Sequence, residues 1–95
     1  GEAVIISGDR HFAEMSEMAV PEGRGRFVDI TSSGINRRYP AQTPTANRHR
    51  TGGYYLDYNV GGLELAWSDA GTVSEVTARI YDADGGVRLE EVIRF

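Results

Sequence analysis

From Tyr54 to Phe95 the chain alternates apolar and polar residues in short runs, and two turn-forming clusters cut these runs apart. Leu63, Leu65 and Trp67 share one side of an extended strand. Val76, Ala78 and Ile80 alternate with Thr77, Arg79 and Tyr81, and Val87, Leu89, Ile93 and Phe95 line one face of the last run. A period of two is that of a β-strand. Ser68-Asp69-Ala70-Gly71 and Asp82-Ala83-Asp84-Gly85-Gly86 supply the turns. Three consecutive strands joined in this way predict an antiparallel meander. Asn59 and Gly61-Gly62 point to a bulge or a close backbone approach. Trp67, Tyr81 and Phe95 are expected in the core. Tyr54, Tyr55 and Tyr58 suit either the lining of a groove or the cover of a sheet.

The first half is less regular. Ala3–Ser7 (AVIIS) is an apolar, β-branched run that ends at Gly8-Asp9 and reads as a strand buried on both faces. Such a strand at the start of a sequence is unusual for a complete domain. Phe12, Met15 and Met18 have helical spacing, but Phe12–Met18 can equally form a hairpin with Arg26–Ser32, across the turn signals from Pro21 to Gly25. The hairpin is the preferred reading. Residues 34–53 have no periodicity and hold four of the ten arginines, which predicts a long functional or mobile loop. The whole is expected to be mainly β, an antiparallel sheet or partial sandwich of five to six strands in a single domain.

Composition removes several functions. The 95 residues carry a formal net charge of −4, which argues against a general nucleic-acid binder. No run approaches the ~20 apolar residues of a membrane-spanning helix. The absence of cysteine excludes disulfides, zinc ribbons and thiol nucleophiles. All ten cationic residues are arginine, as GC-rich codon usage produces.

The segment with chemical content is Ser7-Gly8-Asp9-Arg10-His11, directly after the first strand. A carboxylate and an imidazole two residues apart suit a divalent metal, with one hard and one borderline donor. The same pair also suits an Asp that caps a loop beside an exposed His. Ser32 and Ser33 have no nearby base in sequence, so a serine nucleophile is not supported. Asp82-x-Asp84-Gly85 lacks the distal Glu of a calcium loop. Glu14 and Glu17 are expected to face solvent. Arg48-His49-Arg50 reads as a solvated basic segment or as a phosphate contact, since arginine pairs bidentately with phosphate oxygens.

Ser7–Glu14 resembles the last metal-binding motif of the PhoD-like alkaline phosphatases, within the calcineurin-like metallophosphoesterase superfamily. The resemblance continues in order through Asp29-Ile30-Thr31-Ser32-Ser33-Gly34-Ile35, through Asn47-Arg48-His49-Arg50, and through Tyr55–Gly61 with the strand that follows. It implies the C-terminal part of a metallophosphoesterase α/β sandwich. It also implies a dinuclear site of divalent or trivalent ions (Mn, Fe, Zn or Ca) hydrolysing phosphate mono- or diesters. His11 matches the terminal metal-ligating histidine, and Asp9 is placed to bind metal or to orient a ligand. Within the similar N-R-H-R stretch, Asn47, Arg48 and Arg50 are the expected substrate contacts, with the arginines on the phosphate. The other ligand motifs, D-x-H, G-D-x-x-D and G-N-H-[DE], are not in this sequence. The resemblance therefore implies a portion of a larger enzyme that is inactive alone. Family members are often periplasmic or secreted. The alternative reading is a non-catalytic β module that self-associates through uncovered apolar faces.

Overall fold

A computed structural model describes residues 2–23 and 25–95. Two sheets face one another. The first contains β1 (Glu2–Ser7), β2 (Ala13–Ala19), β3 (Arg26–Ser32) and β4 (Arg50–Tyr55), in the spatial order β1-β3-β2-β4. β1 runs parallel to β3, and the other neighbours are antiparallel. The second sheet is the expected meander of β5 (Asn59–Trp67), β6 (Val73–Asp82) and β7 (Val87–Arg94). A single 3-10 turn at Pro21–Gly23 helps reverse the chain between β2 and β3.

Alternation builds the core. Met15 of β2 lies opposite Ile30 of β3, and Val28 and Ile30 are paired by Val4 and Ile6 of β1. The facing surface of the second sheet presents Val76, Ala78, Ile80 and Ile93. These residues interdigitate with Ala13, Met15, Val28 and Ile30, while Val4, Tyr55, Val73 and Leu89 pack around them. Arg26 closes one end of this interface. Its guanidinium bonds Glu2 at 2.9 Å and Glu17 at 2.8 Å, and Glu91 of the second sheet lies at 3.7 Å. One cation thus ties four strands together.

The mainly-β expectation holds, and so does the hairpin of residues 12–18 with Arg26–Ser32, now β2 with β3. A seventh strand is added. β4 occupies the end of the stretch expected to be loop, and Gly52 there has φ of +65°. Its pairing with β2 shifts between Glu14 and Met15, so the strand is irregular and its sequence has no alternation to announce it.

Three burial expectations are corrected. β1 is an edge strand rather than a doubly covered one. Ile5 is 46% exposed on the open face of the sheet and Ile6 70% at its edge, while Val4 alone of the three packs against the core. Trp67 and Phe95 are exposed: β5 is an edge strand whose Leu63 and Leu65 are themselves 38% and 44% exposed on the face Trp67 continues, and Phe95 lies beyond β7. Val87 is also exposed, because a register shift beside Tyr81 takes it off the core side that Leu89 and Ile93 occupy. Gly61 and Gly62 do mark close approaches: a Cβ would meet Ser32 at 3.1 Å in the first case and the Tyr81 ring at 3.1 Å in the second. The three tyrosines each carry an arginine over the ring: Arg50 over Tyr54, Arg88 over Tyr55 and Arg38 over Tyr58.

Candidate functional site

Because β3 sits between β1 and β2, the connection from Ser7 to Ala13 must cross the end of β3. Two strand spacings are about 10 Å. Gly8–Phe12 makes this crossing at the carboxyl ends of the parallel pair β1 and β3, the edge at which open α/β sheets hold ligands. Phe12 anchors the far side. It is 1% exposed, and its ring meets Tyr39 edge-on at 5.0 Å.

The crossing is strained. Asp9 has φ of +70° and His11 has φ of +62°, so two non-glycine residues within three occupy the left-handed region. Such positions cost on the order of 1–3 kcal/mol each and persist only where surroundings enforce them. Ser33 is the enforcing group. Its hydroxyl accepts the backbone N–H of Arg10 at 3.1 Å and of His11 at 2.9 Å. Gly8 lies against the same residue, where a Cβ would come within 3.3 Å of Ser33 Cβ.

Ser33 is held in turn. Asn59, 4% exposed, accepts from Ser32 Oγ at 2.8 Å and donates its amide to the Asp57 carbonyl at 2.8 Å. Its backbone N–H donates to the Gly34 carbonyl at 3.1 Å. Gly34 cannot carry a side chain here, since its Cβ would lie 2.3 Å from Asn59 Nδ2. A chain of contacts therefore runs from β5 through Asn59, Gly34 and Ser33 to the Asp9–His11 loop. Asp9 is exposed and His11 half-exposed at its tip.

Beside this loop the open face of the first sheet forms a cavity of about 430 Å³. Gly8 and Arg10 reach it from the loop, and Asn47 and His49 from the segment before β4. The floor is polar near the loop. Ser7 Oγ donates to Asp29 Oδ1 at 2.6 Å, and Thr31 Oγ1 donates to the same oxygen at 3.2 Å. Farther along it becomes apolar, with Ile5, Met18 and Phe27.

Glu14 overturns its expected exposure. It is 8% exposed, its carboxylate accepts from Arg50 Nε, and Asn47 Nδ2 donates to it at 3.1 Å. Asn47 also donates to Ser16 Oγ at 2.7 Å. Glu17 is half-buried against Arg26 rather than solvated. The Arg50 guanidinium is engaged by Glu14, by the Thr45 carbonyl at 2.8 Å and by the Tyr54 ring. Arg48 is exposed, and its Nε donates to His49 Nε2 at 3.2 Å. The fold thus brings Arg10, Asn47 and His49 to one cavity beside the Asp9–His11 loop, and it gives Arg50 a buried carboxylate.

Sequence reasoning missed Ser33, Asn59 and Glu14 as parts of this arrangement. Their partners lie more than twenty residues away along the chain, and the flagging of Asn59 and Gly61-Gly62 as a bulge or close approach was the one hint of the contact between β5 and Ser32. Among the described residues no group of three or more His, Cys, Asp or Glu could hold a metal ion. Asp9 and His11 supply at most two donors, so this chain alone does not fit a dinuclear metal centre. Comparison with protein-family models, curated proteins and solved structures finds no match to this chain.

Proposed function

We propose that the chain is the C-terminal portion of a PhoD-like metal-dependent phosphatase acting on phosphate mono- or diesters. In this reading His11 ligates metal and Asp9 ligates it or orients a ligand. The remaining donors come from polypeptide outside these 95 residues. The observation that carries the reading is the doubly left-handed Asp9–His11 loop at the carboxyl ends of two parallel strands, held by Ser33. Strain of this kind serves no packing purpose at an exposed tip, and it collects where side chains must be aimed. The Ser32-Ser33-Gly34 segment that the resemblance singles out is the one that fixes the loop.

Arg10 and His49 line the cavity and Arg48 is exposed next to His49 in the chain, so these are the groups a phosphate would meet, while the Asn47 amide is committed to Glu14 and Ser16. Arg50 contributes by holding Glu14 and the segment that bears Asn47. With two donors the chain alone is expected to be inactive toward p-nitrophenyl phosphate and its bis-ester in the presence of Mn, Fe, Zn or Ca.

The test is made on the protein translated from the full reading frame. His11→Ala is expected to lower both bound metal and turnover, and Asp9→Ala to lower turnover. Turnover by the 95-residue chain that vanishes in His11→Ala refutes the inactive portion. Undiminished metal content and activity in His11→Ala of the longer protein refutes the ligand assignment.

A further inference from the structure

Three stretches distant in sequence close on one another at the end of the first sheet: residues 8–12, residues 32–34 and the start of β5 at Asn59. Asn59 is 4% exposed and keys into the middle stretch. Its Oδ1 accepts from Ser32 Oγ at 2.8 Å, and its backbone N–H donates to the Gly34 carbonyl at 3.1 Å. The Asp57 carbonyl takes its Nδ2 at 2.8 Å and fixes which way the amide faces. Two glycines let the pieces meet. A Cβ on Gly34 would run into Asn59 Nδ2, and one on Gly61 would come within 3.1 Å of Ser32 Cβ. Ser33 therefore has little freedom to move relative to β5.

The Ser33 hydroxyl carries this placement to the loop. The N–H groups of Arg10 and His11 converge on its single oxygen at 3.1 and 2.9 Å. Two donors occupy both lone pairs of that oxygen. They also share one rotor, so turning the Ser33 χ1 breaks both bonds together. With them goes the support for φ of +70° at Asp9 and +62° at His11. The two bonds and the cost of the left-handed residues are of similar size, so this one oxygen decides the form of the loop.

We infer that Ser33 and Asn59 are positioning residues, through which β5 in the second sheet sets the backbone that aims Asp9 and His11. The inference rests on the phosphatase reading for what those two side chains do, and on the geometry alone for how they are held. Packing does not account for the arrangement. Asp9 is exposed and His11 half-exposed, so the left-handed turns bury neither side chain. Phe12 fixes the path of the chain separately, against Tyr39. What the two turns determine is the direction in which a carboxylate and an imidazole leave the end of the sheet.

The first arm of the experiment is amide hydrogen exchange, read residue by residue by NMR on the 95-residue chain. Ser33→Ala deletes both bonds and should speed exchange at Arg10 and His11 by about tenfold or more. Ser32→Ala and Asn59→Asp touch neither the loop nor Ser33, yet each should speed the same two amides by about threefold or more. Ser32 is half-buried, so its truncation keeps the fold in hand if Asn59→Asp does not fold. Ser33→Thr keeps the hydroxyl on a stiffer χ1 and should stay within about threefold of the parent chain. Exchange at Ala78 and Ile80, in the core of β6, should hold steady throughout. Unchanged Arg10 and His11 exchange in Ser32→Ala, or a rise matched at Ala78 and Ile80, would overturn the inference. The second arm is turnover of p-nitrophenyl phosphate by the protein translated from the full reading frame. Ser33→Ala should lower kcat by about tenfold to a hundredfold with KM within about threefold, and Ser33→Thr should restore it. Undiminished kcat in Ser33→Ala would overturn the positioning role. A longer protein without turnover, alongside the expected exchange pattern, would defeat the phosphatase reading and leave the control of the loop by β5 standing.

Discussion

Removing the Arg50 cation tests whether that residue is a fold element or a spare surface charge. Arg50 and Glu14 have side-chain exposures of 17% and 11%, so both charges are largely withdrawn from water. Arg50→Met leaves the Glu14 carboxylate with Asn47 as its remaining side-chain donor. Breaking a buried pair by deleting one partner costs about 3–5 kcal/mol. Retention of the Asn47 bond places the expected loss at the lower end, about 3 kcal/mol. For a domain of this length each kcal/mol moves Tm by about 4–8 °C, so a fall of at least about 12 °C follows. Glu14→Gln alone should cost less, because the Arg50 guanidinium keeps the Thr45 carbonyl and the Tyr54 ring. The double variant should fall short of the sum of the singles by about 1–2 kcal/mol. Urea unfolding of the four proteins at one fixed concentration measures this cycle. An Arg50→Met loss within about 0.5 kcal/mol of zero, the usual size for a surface substitution, would refute the reasoning. So would strict additivity of the two singles.

Three further outcomes are expected. Ile80→Ala, at a side chain with no exposed surface where the two sheets meet, should lower stability by about 2–5 kcal/mol in urea unfolding. Gly34→Ala drives a methyl into Asn59 and should destabilise by about 1–3 kcal/mol, with the Arg10 and His11 amides exchanging faster as Ser33 shifts. The Asp82 carboxyl is held below the usual carboxylate range, first by Arg88 at 2.7 Å and then by the Gly86 and Asp84 N–H groups. A group whose folded pKa is depressed stabilises fully above its unfolded value, about 3.9, and that contribution is lost as pH falls through the folded value. Urea midpoints measured down an acid series should therefore decline less steeply for Asp82→Asn than for the parent chain.

The parts of the fold that were legible are those in which local pattern and final position agree. β6 alternates Val76, Ala78 and Ile80 on one face, and its neighbours in sequence are its neighbours in space. β2 was ambiguous between helical and strand spacing, and the punctuation from Pro21 to Gly25 decided it, because a turn there returns β3 alongside. The failures have a common cause in position relative to other elements. AVIIS has the composition of a doubly covered strand, yet composition does not say which edge of which sheet a strand occupies, and Ile6 ends 70% exposed. Trp67 continues the apolar alternation of Leu63 and Leu65, but β5 is an edge strand and that face is left partly open along its length. β4 pairs through backbone groups that any sequence possesses, so its first four residues, RTGG, carried no signal and were assigned to the loop.

At the site, Asp9 and His11 were visible as residue types with chemistry, but their left-handed backbone was not, because Asp and His are enriched in that region without being diagnostic of it as glycine is. Glu14 looked like a polar residue on an alternating strand. Only the return of Arg50 beside β2 makes it a buried partner. The loop that places Asp9 and His11 is fixed from outside by Ser33 and Asn59, and its own five residues contain no record of them.

The most direct measurement is the genomic nucleotide sequence immediately upstream of codon 1. Uninterrupted coding sequence bearing the D-x-H, G-D-x-x-D and G-N-H-[DE] motifs is predicted, and it would supply the donors that Asp9 and His11 lack. A start codon immediately before residue 1, or an extension without those ligands, would contradict the proposal that this chain completes a metallophosphatase.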